Sequence, residues 1–352
     1  MSIVTIVGSG MMGSALAFPL HENEHSVRLV GTPLDRKIID ELRTSGRHLT
    51  LDRHLPASVS FYQIDELDEA LTGSDLLVSG VSSFGMTWFR DFILPRVSES
   101  LPILSVTKGM VDMPDGRFIS IPEIYEATTD RPISVSAIGG PCISYELVDK
   151  DHTEVTFCGR DPERLRWLRQ LFATNTYHIS LSTDVRGVEC AVALKNAYAL
   201  GVSLAIGLSH QREGRAFEHL NSQAALFSQS VREMTSLVRL CGGDTASVAH
   251  GIGDLYVTVF GGRSRRIGTL LGKGMPFDEA MGTLSGLTLE SVVIATHAAS
   301  AVRSFIRLGK TTADEFPLLL HMDELINQGK TVNVPWDAFT FETLGEPGRA
   351  ES

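Results

Sequence analysis

Lys195 and Asn196 stand side by side inside GVECAVALKNAYALGVSLAIGL, residues 187–208, and an ammonium there needs an explanation. Ala, Leu and Glu dominate the first part of this stretch, which predicts a helix. It is apolar on nearly every face, which predicts burial all round rather than a surface position. A lysine inside such a helix is paired, deprotonated or put to use. The alternative is a stem that threads out to solvent along the helix. Glu189 lies one to two turns earlier on the same helix. A membrane span is excluded, because the charged and amide side chains fall at its centre, where insertion is costly.

A second candidate is GSGMMG, Gly8 to Gly13. It follows a β-branched run at residues 3–7 and precedes a helical stretch, with a further strand at 26–30. Strand, G-x-G-x-x-G, helix, strand is the context in which this motif binds a dinucleotide. Gly8 makes the tight turn, Gly10 admits a pyrophosphate against the backbone, and Gly13 lets helix and strand pack closely. The loop amides around Ser9, Met11 and Met12 then face the phosphates at the helix start. The competing reading is a plain glycine-rich βα turn. The second strand ends in Val30-Gly31-Thr32-Pro33, with Asp35, Arg36 and Lys37 just beyond. Asp35 suits a ribose diol, whereas Thr32, Arg36 and Lys37 tolerate a 2′-phosphate, so both NAD and NADP stay open.

Three further positions follow. Lys108 ends the run LPILSVTKG, where a parallel strand gives way to a loop, the usual place for a site in an open sheet; a solvent lysine fits equally well. Asp254 occurs in the apolar, glycine-rich segment at residues 250–274. Arg263, Arg265 and Arg266 form a basic cluster in that segment, either a solvated charge run or a phosphate site, since arginine favours bidentate contact with phosphate.

The elements that must position these residues are legible in outline. Helix is expected over 38–44 and 84–95, and an acidic helix over 65–73. Strands are expected over 58–64, 75–83, 101–109, 132–139, 154–159 and 175–184. Residues 161–174 read as a helix capped by Asp161 with Pro162 in its first turn, and Pro19 is a defect in the helix that follows the glycine loop. After Asp184 the β character nearly vanishes, and the rest reads as packed helices joined by glycine-rich loops. The expected architecture is an α/β Rossmann-type N-terminal domain, residues 1–184, followed by an all-α C-terminal domain, residues 185–345. The last eight residues, GEPGRAES, read as a loose tail.

Bulk properties narrow the class. The 352 residues are 43% hydrophobic and 21% charged, a globular composition long enough for two cores. A net charge of −11 argues against a nucleic-acid partner, though a local basic pocket still suits a small phosphate. Cys142, Cys158, Cys190 and Cys241 form no CxxC pair and no zinc spacing, which fits a reducing cytosol better than a disulfide framework. The N-terminus runs straight into a strand, without the layout of a signal peptide. The histidines are scattered, so no metal is expected, and His250 reads as a loop or supporting residue.

Five pieces in order carry a resemblance to the soluble NAD(P)-dependent glycerol-3-phosphate dehydrogenase family: GSGMMGSALA from Gly8, VTKG from Val106, GGPCISYE from Gly139, ECAVALKNAYALG from Glu189 and GIGDLYVTVFGGRSRRIG from Gly251. The resemblance spans nearly the whole chain. It implies a dinucleotide domain, a helical domain, an active site between them, NAD or NADP as cofactor, a cytoplasmic setting and a homodimer. By resemblance, Lys195 is the catalytic lysine, Asp254 its carboxylate partner and Lys108 the second lysine of the site. Asn196, Thr258, Arg263 and Ser264 match the positions that hold the substrate phosphate, and Gly8, Gly10 and Gly13 match the pyrophosphate loop. The implied reaction is reduction of dihydroxyacetone phosphate to sn-glycerol 3-phosphate, for phospholipid synthesis.

The sequence departs from the family at several points. Arg263-Ser264 stands for Arg-Asn, and Val81-Ser82-Ser83 for Val-Pro-Ser. Ser285-Gly286 reads as the counterpart of a Glu-Gly, and Ser144, at a cofactor-binding position, replaces a small alanine. Reaction type is therefore better specified than substrate. The competing functions are a dehydrogenase for another small ketose or polyol phosphate, a 6-phosphogluconate-like or hydroxyacid dehydrogenase, and a non-catalytic dinucleotide-binding sensor or scaffold. The sensor needs the glycines but not Lys195 with Asp254.

Overall fold

The computed structural model describes residues 1–128 and 132–340. Ten strands form: β1 (Ile3–Val7), β2 (Ser26–Val30), β3 (Val59–Tyr62), β4 (Leu76–Ser79), β5 (Ile103–Ser105), β6 (Met110–Asp112), β7 (Phe118–Ser120), β8 (Val135–Gly139), β9 (Thr153–Cys158) and β10 (Tyr177–Ser182). Eight make one sheet in the order β10-β9-β8-β5-β4-β1-β2-β3. Helices cover both faces, so the central strands are buried on both sides and read as near-continuous apolar runs. Strand order reverses between β1 and β4, and the C-terminal ends there are level: Val7 pairs with Val30 and Ser79, and Ser79 with Ser105. That reversal opens the crevice in which parallel α/β sheets bind ligands.

Several expectations are corrected. The sheet is mixed, a point on which the sequence made no prediction: β8 and β9 pair antiparallel. The strand expected over 75–83 stops at Ser79, because Gly80 leaves the sheet to press on the glycine loop; a Cβ built on Gly8 would lie 2.7 Å from the Gly80 carbonyl carbon. The helix expected over 84–95 is a succession of short turns of different pitch between Ser83 and Arg96. The strand expected over 101–109 is three residues long and leaves Lys108 in the loop after it. Pro19 acts as expected: the helix after the glycine loop breaks at Leu16 into Met11–Ala15 and Ala17–Glu22, since proline has no N–H for the Ala15 carbonyl. The antiparallel hairpin β6–β7 was not expected. The loose tail, and residues 341–345 of the expected helical domain, lie outside the described residues.

From Val185 onward the described chain is helical. The central helix, Val185–Glu213, starts on Asp184, whose carboxylate accepts the Gly187 N–H at 3.0 Å, and ends on Gly214 at φ 65°. It is long and apolar enough to cross a membrane, but its most apolar window is 83% buried within the protein. Around it lie Leu220–Leu240, Val248–Phe260, Gly262–Gly272, Glu290–Arg307 and Pro317–Asn327. The glycine-rich segment around Asp254 is thus two helices, not loops. Its glycines make backbone contact possible: a Cβ on Gly268 would sit 2.3 Å from the Leu200 carbonyl oxygen, and one on Gly272 2.2 Å from that of Leu204. Several side-chain pairs brace this bundle to the sheet half. Arg186 donates to Glu123 at 2.6 Å, and His297 pairs with Asp112 of the hairpin.

Candidate active site

Lys195 is fixed by a partner on another helix. Its Nζ donates to one carboxylate oxygen of Asp254. Lys108 reaches the same carboxylate from the sheet side, donating to the other oxygen at 2.5 Å and to the Gly140 carbonyl at 2.8 Å. One carboxylate, 1% exposed, therefore holds two ammonium groups whose side chains are 16% and 20% exposed. Burial holds Lys195 below the usual lysine range; Lys108 adds to that, while Asp254 opposes it. Lys195 neither threads to solvent nor pairs with Glu189: Asp254 is its partner.

A cleft of about 740 Å³ opens over this triad. Gly10, Met11 and Met12 line it from the glycine loop, Lys195 and Asn196 from the central helix, Asp254 and Thr258 from Val248–Phe260, and Arg263 and Ser264 from Gly262–Gly272. The Thr258 hydroxyl donates to the Asp254 carbonyl at 2.7 Å, which fixes that turn of helix. The arginine cluster divides: Arg265 is committed to Glu218 at 2.5 Å and to the Val259 carbonyl at 3.0 Å, whereas Arg263 is exposed on the cleft. Arg263 stands at the start of Gly262–Gly272, where helix amides are unpaired.

The glycine loop fits a dinucleotide. A Cβ on Gly13 would be 2.3 Å from the Gly8 carbonyl oxygen, so that position needs glycine for packing. Gly10, by contrast, faces open space, with no atom within 4 Å of a Cβ built there. That is the space a pyrophosphate would fill. The loop is held from behind: His48, fully buried, hydrogen-bonds the Ser9 carbonyl through Nε2 at 2.8 Å, while its Nδ1 accepts from Leu51 N–H at 3.0 Å. Nε2 is thereby the protonated nitrogen, and burial keeps the ring below the usual histidine range. Asp35 accepts from the Thr32 N–H and hydroxyl, both at 2.8 Å, and from Ser9 N–H at 3.3 Å. Arg36 turns outward to Asp65 at 2.8 Å.

Not every expected residue reaches the cleft. Of the glycine loop, Gly8, Ser9 and Gly13 lie outside the lining, as do Thr32, Asp35 and Arg36. Ser144 is buried behind it, although its neighbours Cys142, Ile143 and Tyr145 do line it. Cys142 is no nucleophile, since burial pushes its thiol up to about 12. His250 lies in a helix and bonds Thr156 of β9 at 2.8 Å. Glu290 was missed. It opens the helix Glu290–Arg307 and lines the cleft, accepting from Asn196 and Ser83, each at 3.4 Å. Ser285, read as the acid's counterpart, is exposed and outside the cleft. An acid directly before an apolar helical run was the available signal, but an N-terminal helix acid explains it equally.

The chain is similar to known proteins along most of its length. The descriptions "NAD-dependent glycerol-3-phosphate dehydrogenase N-terminus" and "C-terminus" match residues 3–164 and 184–336. The NADP(+)-dependent glycerol-3-phosphate dehydrogenase of Archaeoglobus fulgidus is 32% identical over 79% of this chain and 82% of its own. The glycerol-3-phosphate dehydrogenase [NAD(P)+] of Koribacter versatilis is 29% identical over 100% and 99%. Among solved structures, the Plasmodium falciparum glycerol-3-phosphate dehydrogenase superposes with a TM-score of 0.81 at 18% identity, covering 98% of this chain and 97% of that one, which shows the shared fold. The chain belongs to the NAD-dependent glycerol-3-phosphate dehydrogenase family, and with it to the NAD(P)-dependent oxidoreductases.

Proposed function

We propose that the protein reduces dihydroxyacetone phosphate reversibly to sn-glycerol 3-phosphate, with Lys195 as proton donor. The observation that carries this reading is the single buried carboxylate of Asp254 shared by Lys195 and Lys108 in the lining of the cleft. The reduced nicotinamide, when bound, supplies the hydride. The chain must then stabilise charge building on the ketone oxygen and deliver one proton. Lys195 Nζ, aimed by Asp254, does both; in the reverse direction its neutral amine takes the alcohol proton. A lysine held below its usual range by burial changes protonation state more readily near neutral pH than a free one. Lys108 orients substrate oxygens from the sheet side. Arg263, with the free amides at the start of its helix and with Asn196, Thr258 and Ser264 nearby, suits the phosphate. Gly8, Ser9, Gly10, Met11, Met12 and Gly13 hold the pyrophosphate, and Asp35 the adenosine ribose.

The family's setting extends the proposal to a cytoplasmic homodimer that supplies glycerol phosphate for phospholipid synthesis. The test is oxidation of NADH and NADPH over a panel of phosphorylated ketones. Dihydroxyacetone phosphate is expected to give the highest kcat/KM. Activity on a longer ketose phosphate but not on dihydroxyacetone phosphate would redirect the substrate, and inactivity on all would favour a non-catalytic dinucleotide-binding sensor.

A further inference from the structure

The seam between the start of the central helix and the end of Leu220–Leu240 brings two thiols face to face. Cys190 and Cys241 are 51 residues apart in the chain, yet the Cys190 thiol donates to Cys241 Sγ at 4.0 Å. Backbone fixes the approach. A Cβ built on Gly243 would lie 2.5 Å from the Gly187 Cα, so the chain just after Cys241 rests on the helix about one turn before Cys190. Asp184 ties down the next residue: its carboxylate accepts the Asp244 N–H at 2.8 Å as well as the Gly187 N–H. Gly242, at φ 78°, supplies the left-handed turn by which the chain leaves its helix.

The two sulfurs differ in access. Cys190 is fully buried, and its hydrogen bond to Cys241, followed by burial, holds its thiol well above the ordinary range; Asp184 and Glu189 add to that. Cys241 is half-buried. The Arg186 guanidinium, paired with Glu123 at 2.6 Å, interacts with it electrostatically. The other two cysteines sit elsewhere. Cys158 is buried among Ala137, Val185 and Val188, and Cys142 lines the cleft with its thiol held protonated by burial. Bonded sulfurs stand about 2.05 Å apart. Closing the Cys190–Cys241 pair therefore takes about 2 Å of movement, within the sweep of a cysteine side chain between rotamers.

We propose that Cys190 and Cys241 form a peroxide-reactive site, in which Cys241 is oxidised first and Cys190 resolves it to a disulfide. The attacking species is a thiolate. The Cys241 sulfur attacks one oxygen of hydrogen peroxide, the O–O bond breaks, and the departing hydroxide takes a proton to become water. Cys241 is then a sulfenic acid. The Cys190 sulfur attacks the Cys241 sulfur, the S–O bond breaks, and the Cys190 proton leaves with the hydroxyl as a second water. Two thiols lose two electrons to become one disulfide, and one peroxide is reduced to two waters. In a reducing compartment such a bond is transient and senses oxidant. The inference stands on the thiol pair and not on the proposed reaction.

The test treats the intact protein with a few equivalents of hydrogen peroxide, alkylates it, digests it without reductant and maps the peptides by mass spectrometry. Wild type is expected to fall from four free thiols to two, with residues 190 and 241 in one linked pair of peptides. Cys190→Ser is expected to stop at a dimedone-reactive sulfenic acid on Cys241. Cys241→Ser is expected to keep its remaining thiols over the same exposure. Oxidation first at Cys142, a disulfide between two copies of the chain, or a wild type that keeps all four thiols would each overturn the proposal. If either serine variant fails to fold, the wild-type map decides alone.

Discussion

Asp254 is bonded to two ammonium groups at once, and single substitutions should separate their parts. Lys195→Ala is expected to lower kcat by roughly 10²–10⁴-fold, the range for acid–base catalysis. Coenzyme affinity, followed by quenching of protein fluorescence, should remain, because the glycine loop is a separate element from the helix that carries Lys195. In the proposed reading, Asp35 bears on coenzyme choice. Thr32 and Ser9 hold its carboxylate at the end of β2, and Arg36, the residue best suited to a 2′-phosphate, is turned toward Asp65. Asp35→Ser removes a charged acceptor, an interaction worth roughly 1.5–3 kcal/mol. The NADH-to-NADPH ratio of kcat/KM should therefore move toward NADPH by about tenfold or more, measured as initial rates. These residues were legible because chemistry limits where a lysine or a glycine run can stand. Glu290 was not, since its place on the cleft depends on how a distant helix packs.

Elements were legible in proportion to their length. A 29-residue apolar helix and five-residue β-branched strands announce themselves; β6 and β7, three residues each, do not. Strand direction is set by the connection and by the neighbours, so nothing local marks β9 as antiparallel to β8. The segment around Asp254 misled for a physical reason. Its glycines look like loop residues, yet at Gly268 and Gly272 they exist to let two helices touch. Gly268→Ala places a methyl 2.3 Å from the Leu200 carbonyl oxygen, and a backbone neighbour cannot swing away as a side chain would. The expected loss is about 1–3 kcal/mol or more in urea unfolding. Because the same helix pair sets Lys195, catalysis should fall with stability.

At the scale of the molecule, the two halves are joined across the cleft and by side-chain braces, among them Glu123–Arg186 and Asp112–His297. Burial pushes Glu123 up, but the Ser120 amide, Arg186 and the Ser120 hydroxyl outweigh it, so its carboxyl stays below the usual glutamate range. The sign follows from linkage. A lowered folded value adds stability above the unfolded value of 4.5, and that stability is lost as pH falls through the folded value. Glu123→Gln should therefore flatten the loss of stability as the pH falls below the unfolded value of 4.5, read from thermal melts over an acid series. The division into a nucleotide half and a helical half was legible from the disappearance of β patterning after Asp184. The braces were not, since Glu123–Arg186 and Asp112–His297 are separated by 63 and 185 residues.

Where the Gly262–Gly272 helix meets Val185–Glu213, backbone rests on backbone. Such a junction has no compressible layer of side chains to absorb a slip. Sliding the long helix by one residue would rotate the amine of Lys195 by about 100° away from its carboxylate. The aim of Lys195 is thus set by bare peptide about one and a half to two and a half turns further along, at Leu200 and Leu204. Drift in the surrounding core can change how tightly the bundle holds together without turning the lysine off its target.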